Sequence, residues 1–306
     1  MSTRFPPALK PGDLVRLVSP ASHVDQDDVE KTVELLEQAG FRVDLGKHVL
    51  DRHGYLAGRD EDRISDLNDA FVDSEVRAII ATRGGKGAYR IADALDFAAA
   101  HNDPKLVVGF SEITIIQLAL WQHANIPSLH GTPSAFYDGL LSETTYRACL
   151  TALSSGEPLH LRSMEDVPTS SLTTSGRAEG ILVGGNLDMI VTGADWLIPK
   201  LNGNILFIED VKKAGLGHID RQMTRLLKSG YLENIAGIAV GQFTNFDTTD
   251  GWSVVDVLRD RLALIDVPIL GGLPLGHGRD ALVIPIGTHA VIDADEGTLT
   301  VEAAVR

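Results

Sequence analysis

Val107-Val108-Gly109-Phe110-Ser111-Glu112 is a short apolar run that stops at a glycine and a serine. Ile113-Thr114-Ile115-Ile116-Gln117-Leu118-Ala119-Leu120-Trp121 follows at once, apolar and long enough for a helix. Strand, tight turn and helix in that order read as one βα unit. A serine in such a turn is held out of the sheet. The helix N-terminus beside it offers unpaired N–H groups and a positive dipole end to a developing oxyanion. The match to the hydrolase elbow G-x-S-x-G is partial, because Ile113 stands at the second glycine position. A serine ahead of a helix also serves as an N-cap, so this segment alone leaves both roles open.

Working outward, the same alternation fills the first half. Residues 13–18, 41–45, 76–82 and 105–110 read as strands. Residues 25–39, 59–70, 89–100 and 112–124 read as helices, with Gly40 suited to the position after the first. Repeated βα units predict an α/β fold with a doubly wound parallel sheet. Ligands bind such sheets at the carboxyl ends of the strands, where Ser22, Gly85 and Ser111 all fall. Residues 156–176 are rich in Ser, Thr, Pro and Gly and read as linker, dividing a domain at 1–155 from one at 177–306. The second is expected to be β-rich. Its strands are predicted at 178–183, 204–209, 235–241, 289–293 and 298–303, its helices at 186–195, 219–228 and 253–264.

A chain of 306 residues, 44% hydrophobic, suits two domains with substantial cores. No apolar run approaches the ~18 residues of a membrane span, and residues 1–10 lack the pattern of a secretory signal. Cys149 is the only cysteine and reads as a small buried apolar residue in a helix. Together these predict a cytoplasmic protein. A net charge of −15 argues against nucleic acid or an anionic membrane as partner. There is no H-E-x-x-H and no cysteine pair, so no metal site and no cofactor are expected.

A nucleophilic serine needs a base, and the base needs an orienting acceptor. His277 is singular among the ten histidines because Gly276 and Gly278 flank it in an interstrand loop. Glu209 stands where the apolar strand Ile205-Leu206-Phe207-Ile208 stops, as an orienting acid or an ordinary strand-terminal carboxylate, with Asp210 beside it as a possible helix cap. Arg83-Gly84-Gly85-Lys86-Gly87 fails the Walker pattern, with Ile80 at its first glycine and Gly87 in place of Ser or Thr. It is either a plain tight turn or a donor of backbone N–H to an oxyanion. In His218-Ile219-Asp220-Arg221, Asp220 reads as a cap at a helix start.

In order and spacing these segments resemble the LD-carboxypeptidase family of serine peptidases, which includes the microcin C self-immunity peptidases. The resemblance runs through Lys10-Pro11-Gly12-Asp13, Val18-Ser19-Pro20-Ala21-Ser22, the 83–87 loop, Gly109-Phe110-Ser111-Glu112 and His130-Gly131. It continues with Gly184-Gly185-Asn186-Leu187, Leu206-Phe207-Ile208-Glu209-Asp210, Ile219-Asp220-Arg221 and Gly276-His277-Gly278. It implies a flavodoxin-like N-terminal domain and a swivelling β-rich C-terminal domain. It implies a Ser111-Glu209-His277 triad in the cleft between them, with the oxyanion held by the N–H groups of Gly85 and Glu112. It also implies a homodimer that recycles cell-wall peptides, releasing a terminal D-Ala from a muropeptide. Arg83, Lys86, Asn186 and His218 are the candidates to touch that substrate. The chain departs from the family pattern in Phe110-Ser111-Glu112 for Tyr-Ser-Asp, in Lys86 at an aromatic position, and in Gly217-His218 for Pro-Tyr. The last two bear on substrate choice. The rivals are an aminoacyl-nucleotide amide as substrate, an α/β-hydrolase esterase, and a flavodoxin-like binding module without turnover. The esterase reading lacks a His-Gly-Gly-Gly-type segment ahead of the serine.

Overall fold

The computed structural model describes residues 3–133, 142–278 and 280–306. Their first sheet has six strands in the order β11-β5-β4-β3-β1-β2. These are β1 (Leu14–Val18), β2 (Arg42–Leu45), β3 (Val76–Ala81), β4 (Leu106–Gly109), β5 (Ser128–His130) and β11 (Ile284–Ile286). The first five run parallel, and the central β3 and β4 have the near-continuous apolar sequences of strands covered on both faces. The covering helices are α1 (Gln26–Gln38), α2 (Asp60–Val72), α3 (Phe97–Asn102), α4 (Thr114–Ala124) and α5 (Glu143–Ser154).

One expected helix is broken. Residues 89–100 do not form a single helix: a 3₁₀ turn at Ala88–Arg90 is followed only at Phe97 by α3. Asp96 causes the interruption. Its non-helical backbone places the carboxylate 2.8 Å from the Ala99 N–H as a cap, while its own N–H donates to Asn68 Oδ1 at 2.8 Å.

The second sheet has seven strands, β10-β9-β8-β7-β12-β13-β6. They are β6 (Leu159–Arg162), β7 (Arg177–Asn186), β8 (Ile205–Val211), β9 (Gly237–Thr244), β10 (Ile269–Leu270), β12 (His289–Asp293) and β13 (Thr298–Val301). The β7 to β10 side is parallel, with helices α6 (Leu187–Gly193), α7 (Leu216–Lys228) and α8 (Val254–Leu262). The β7-β12-β13-β6 side is antiparallel.

The segment expected as linker is a built part of this sheet. Leu159–Arg162 is its edge strand, and the Ser/Thr-rich stretch after it satisfies backbone groups. Thr169 Oγ1 donates to Gly241 O and accepts from the Gly272 N–H. Thr173 and Thr174 accept from the Gly271 and Ile269 N–H groups. Hydroxyls that cap and turn a chain in isolation here replace missing ladder partners. The expected division is also crossed by the C-terminal part. β11 pairs antiparallel with β5 of the first sheet, and Ala304 and Val305 pack with Leu9 and Val15. A continuous apolar cluster joins the sheets, with Ile115, Ile116 and Ala119 of α4 packed together with Val183, Ile190 and Leu206. This packing places the end of β4 beside the ends of β7 and β8.

Candidate active site

Ser111 sits at the carboxyl end of β4 with φ 61°, in the left-handed region that costs a non-glycine residue of order 1–3 kcal/mol. It begins the 3₁₀ turn Ser111–Ile113 that leads into α4. The N-cap of α4 is Ile113, and the turn's own cap position is Phe110, so Ser111 caps neither. A buried serine forced into strained backbone without a capping role is placed for something other than helix stability.

The loop 83–87 faces it. A Cβ on Gly84 would lie 2.9 Å from Ser111 Cβ and 3.2 Å from its Oγ, so only glycine lets this backbone come so near. Four bonds fix the loop. Ser22 N–H donates to Gly84 O, Lys86 N–H to Ser22 Oγ at 3.0 Å, Arg83 Nη1 to His23 O at 3.1 Å, and Gly87 N–H to Glu112 Oε1 at 2.7 Å. Glu112 is fully buried. Burial pushes its carboxyl above the usual range, against the pull of the Gly87 N–H and of Lys213 and Lys86.

Glu209 and His277 are joined to this turn through Phe110. Glu209 lies within β8, not at its end, and is fully buried. Its Oε2 accepts from His277 Nδ1 at 2.6 Å. Burial alone would raise this carboxyl, but His277 and His130 outweigh it and hold it well below the usual carboxylate range. The ion therefore persists at any pH where the protein is ordinarily handled. Its contribution to folding is complete above the ordinary carboxylate pKa and is lost only as pH falls through the depressed value. Asp210 goes the other way, pushed up to about 6 by burial and by Glu209. It accepts from Asn186 Nδ2 at 2.9 Å and from the Val211 N–H, and caps no helix. The ring of Phe110, the residue before Ser111, lies 4.9 Å from the His277 ring centroid. Both line a pocket with His130, Gly131, Thr132 and Gly276.

Gly276 has φ +105°, and a Cβ there would fall 2.6 Å from Glu209 Oε2. Gly276→Ala is expected to push the carboxylate off His277 and lower kcat/KM at least about tenfold. Steady-state kinetics beside a thermal melt is the check. Unchanged kinetics would show that the His277–Glu209 contact is not needed.

The remaining expected residues divide. Arg83 serves the loop through His23, and Lys86 is exposed on its rim. Asn186 is fully buried and touches Glu209, Asp210 and Lys213. His218 Nε2 is 3.4 Å from Asp188 Oδ1. Asp220 lies inside α7, which starts at Leu216 and is capped by Gly215, so the cap reading fails there. Sequence reasoning missed Lys213, whose Nζ is 3.4 Å from Asn186 Oδ1 and 3.7 Å from Asp188 Oδ2. It also gave His130 no role. Away from the site, the fold gathers His48, Asp51 and Asp62 with ligand atoms within 4.8 Å of one another, a grouping that no motif spacing announced. His48 Nδ1 is already bound to Asp51 Oδ2 at 2.8 Å, and the arrangement reads as an ion-paired histidine.

Serine peptidases are the class that such a two-sheet fold defines once relatives are compared. The chain belongs to the LD-carboxypeptidase family: the family's N-terminal domain matches residues 15–131 and its C-terminal domain residues 179–292. It is 33% identical to a probable murein peptide carboxypeptidase of Bacillus subtilis over 98% of this chain and 95% of that one. It is 24% identical to the microcin C7 self-immunity protein of Escherichia coli, covering 95% and 93%. The crystal structure of muramoyltetrapeptide carboxypeptidase from Oxalobacter formigenes superposes with a TM-score of 0.84 at 27% identity, covering 96% of this chain and all of the other. The protein is accordingly a hydrolase of the serine carboxypeptidase type. Among the described residues no helix is long and apolar enough to cross a membrane.

Proposed function

We propose that this protein is an LD-carboxypeptidase that removes a terminal D-Ala from muropeptides through a Ser111-His277-Glu209 triad. One observation carries the assignment. His277 donates from Nδ1 to a buried, ionised Glu209 at 2.6 Å and packs on Phe110, the residue before Ser111, as a base held by its acid beside the nucleophile's turn.

The chemistry follows from that placement. Ser111 Oγ attacks the carbonyl carbon of the bond to D-Ala while His277 Nε2 takes its proton. Glu209 fixes the imidazole tautomer and balances the imidazolium. The Gly85 and Glu112 N–H groups receive the oxyanion, each such donor being worth about 3 kcal/mol. The C–N bond breaks as His277 returns the proton to the leaving amine. Water, deprotonated by the same base, then releases the acyl group. Lys86 and His218 are the residues of this reading that meet the substrate, with the buried Asn186 behind them. Lys213 joins them through its bond to Asn186. A cytoplasmic homodimer acting on a small peptide, without nucleic acid or membrane, completes the proposal, supported by the family resemblance and the acidic charge.

The test is a panel pairing a muropeptide tetrapeptide with an aminoacyl sulfamoyl adenylate. The expected result is release of D-Ala at a kcat/KM at least tenfold above cleavage of the adenylate amide. The reverse order would move the protein to the self-immunity branch. Turnover of neither, with no labelling by a serine-directed phosphonate, would leave a binding module.

A further inference from the structure

His130 ends β5, level with Gly109 on the neighbouring β4, two residues before Ser111. It belongs to the nucleophile's sheet but points at the acid of the other sheet. Its ring is 1% exposed. Nδ1 lies 3.4 Å from Gln117 Oε1, and Nε2 lies 3.6 Å from Glu209 Oε1. The rings of Phe110 and Phe207 stand edge-on to it, at centroid distances of 6.1 and 5.3 Å. Gly185 gives it room, since a Cβ there would come 2.9 Å from Nδ1.

Gln117 settles which ring nitrogen carries a proton. Its Nε2 donates to Gly109 O at 2.9 Å and to Leu129 O at 2.7 Å, both carbonyls and therefore acceptors only. The amide cannot be turned over without setting its oxygen against them. Oε1 therefore faces His130, and Nδ1 must be the donor. In a neutral imidazole Nε2 would then present a lone pair to the Glu209 carboxylate, in a buried site where such repulsion is poorly screened. Nε2 has no hydrogen-bond partner closer than that oxygen among the described residues. With a proton on Nε2 the same contact becomes an attraction between opposite charges.

We propose that His130 is a positioning residue, an imidazolium that clamps Glu209 Oε1 to the nucleophile's sheet while His277 holds Oε2. The inference rests on the triad reading and adds a regulator of its base. A positive charge on the far side of Glu209 opposes protonation of His277. It thereby keeps His277 a free base to lower pH than the Glu209 ion alone would allow. The other charged or titratable groups near Glu209 are Asp210, beside it on β8, and Lys213, through Asn186. Phe110, Phe207, Gln117, Thr114 and Gly185, which also pack there, contribute no charge.

Two measurements test it. In the pH profile of kcat/KM, which reports the free enzyme, His130→Gln should move the acid limb upward by about one pH unit or more, as loss of a positive charge on the far side of the shared carboxylate requires. A purely structural His130 would lower the rate without moving the limb. Asp210→Asn removes an anion rather than a cation and should not move the limb upward, and an upward shift there as large as that of His130→Gln would overturn the proposal. The second measurement needs no activity and no variant at position 130. Nitrogen-15 spectra of histidine-labelled Ser111→Ala protein should show both His130 nitrogens protonated at pH 7. A neutral His130 ring overturns the clamp even if the triad stands. Failure of the triad itself would appear separately, as turnover by the same Ser111→Ala protein.

Discussion

Ser111→Ala is expected to abolish peptidase turnover, lowering kcat by at least about four orders of magnitude, while the melting temperature stays close to wild type. Loss of a triad nucleophile typically costs that much or more, the residue left over being oxyanion stabilisation and binding. The fold should not suffer, because the Ser111 side chain caps neither the 3₁₀ turn nor α4. A companion variant sharpens the point. Ser111 carries φ 61°, a strained setting for any residue with a Cβ. Ser111→Gly should therefore be inactive yet more stable than Ser111→Ala, by about 1 kcal/mol. Activity within about tenfold of wild type in either variant would remove Ser111 from the mechanism, whatever the melts show.

How much of this was readable beforehand depends on the range over which each signal acts. The βα alternation from residue 13 to 124 is largely local, since β3 and β4 are near-continuous apolar runs and α1 and α2 carry their own period. Apart from the broken helix at 89–100, those elements emerged at nearly the expected places. The elbow was also local, because strand, glycine, serine and helix are contiguous. Residues 159–162 and 284–286 failed for the opposite reason. Neither has periodicity of its own, and each is a strand only because a distant partner, β13 or β5, supplies the ladder. The Ser/Thr run at 168–174 misled by composition: Ser170 and Ser171 do bond local carbonyls, but Thr169, Thr173 and Thr174 pair with backbone about 70 to 100 residues away.

The site divides in the same way. Glu209 and His277 carry marks in sequence, an acid in an apolar strand and a histidine between glycines. His130 carries almost none. It sits on a three-residue strand, and its meaning comes from Gln117 on one side and Glu209 on the other, 13 residues before it and 79 after. Lys213 is one of two adjacent lysines, and only the fold shows that it reaches Asn186.

The second large effect is expected at the acid–imidazole pair. Glu209→Gln and His277→Ala should each lower kcat by about 10³-fold or more, and adding Ser111→Ala to either should cost almost nothing further. Non-additivity is required because the three groups act on one proton: with its acceptor gone, the serine hydroxyl is no longer a nucleophile worth removing. A double mutant falling by the product of the single losses would mean that His277 and Ser111 work independently. The pH dependence separates their roles. The wild-type rate should decline as pH falls through the imidazole range, since a protonated ring cannot accept the serine proton. Glu209 cannot be the source of that decline, because His277 and His130 keep it ionised to well below the ordinary carboxylate range. In Glu209→Gln the residual activity should still show an acid limb, now displaced to lower pH, because the charge that favoured the imidazolium is gone. A limb that vanished with Glu209 would instead make the carboxylate the titrating base. That outcome would conflict with its burial in β8 and with the 2.6 Å hydrogen bond that already commits its Oε2 to His277.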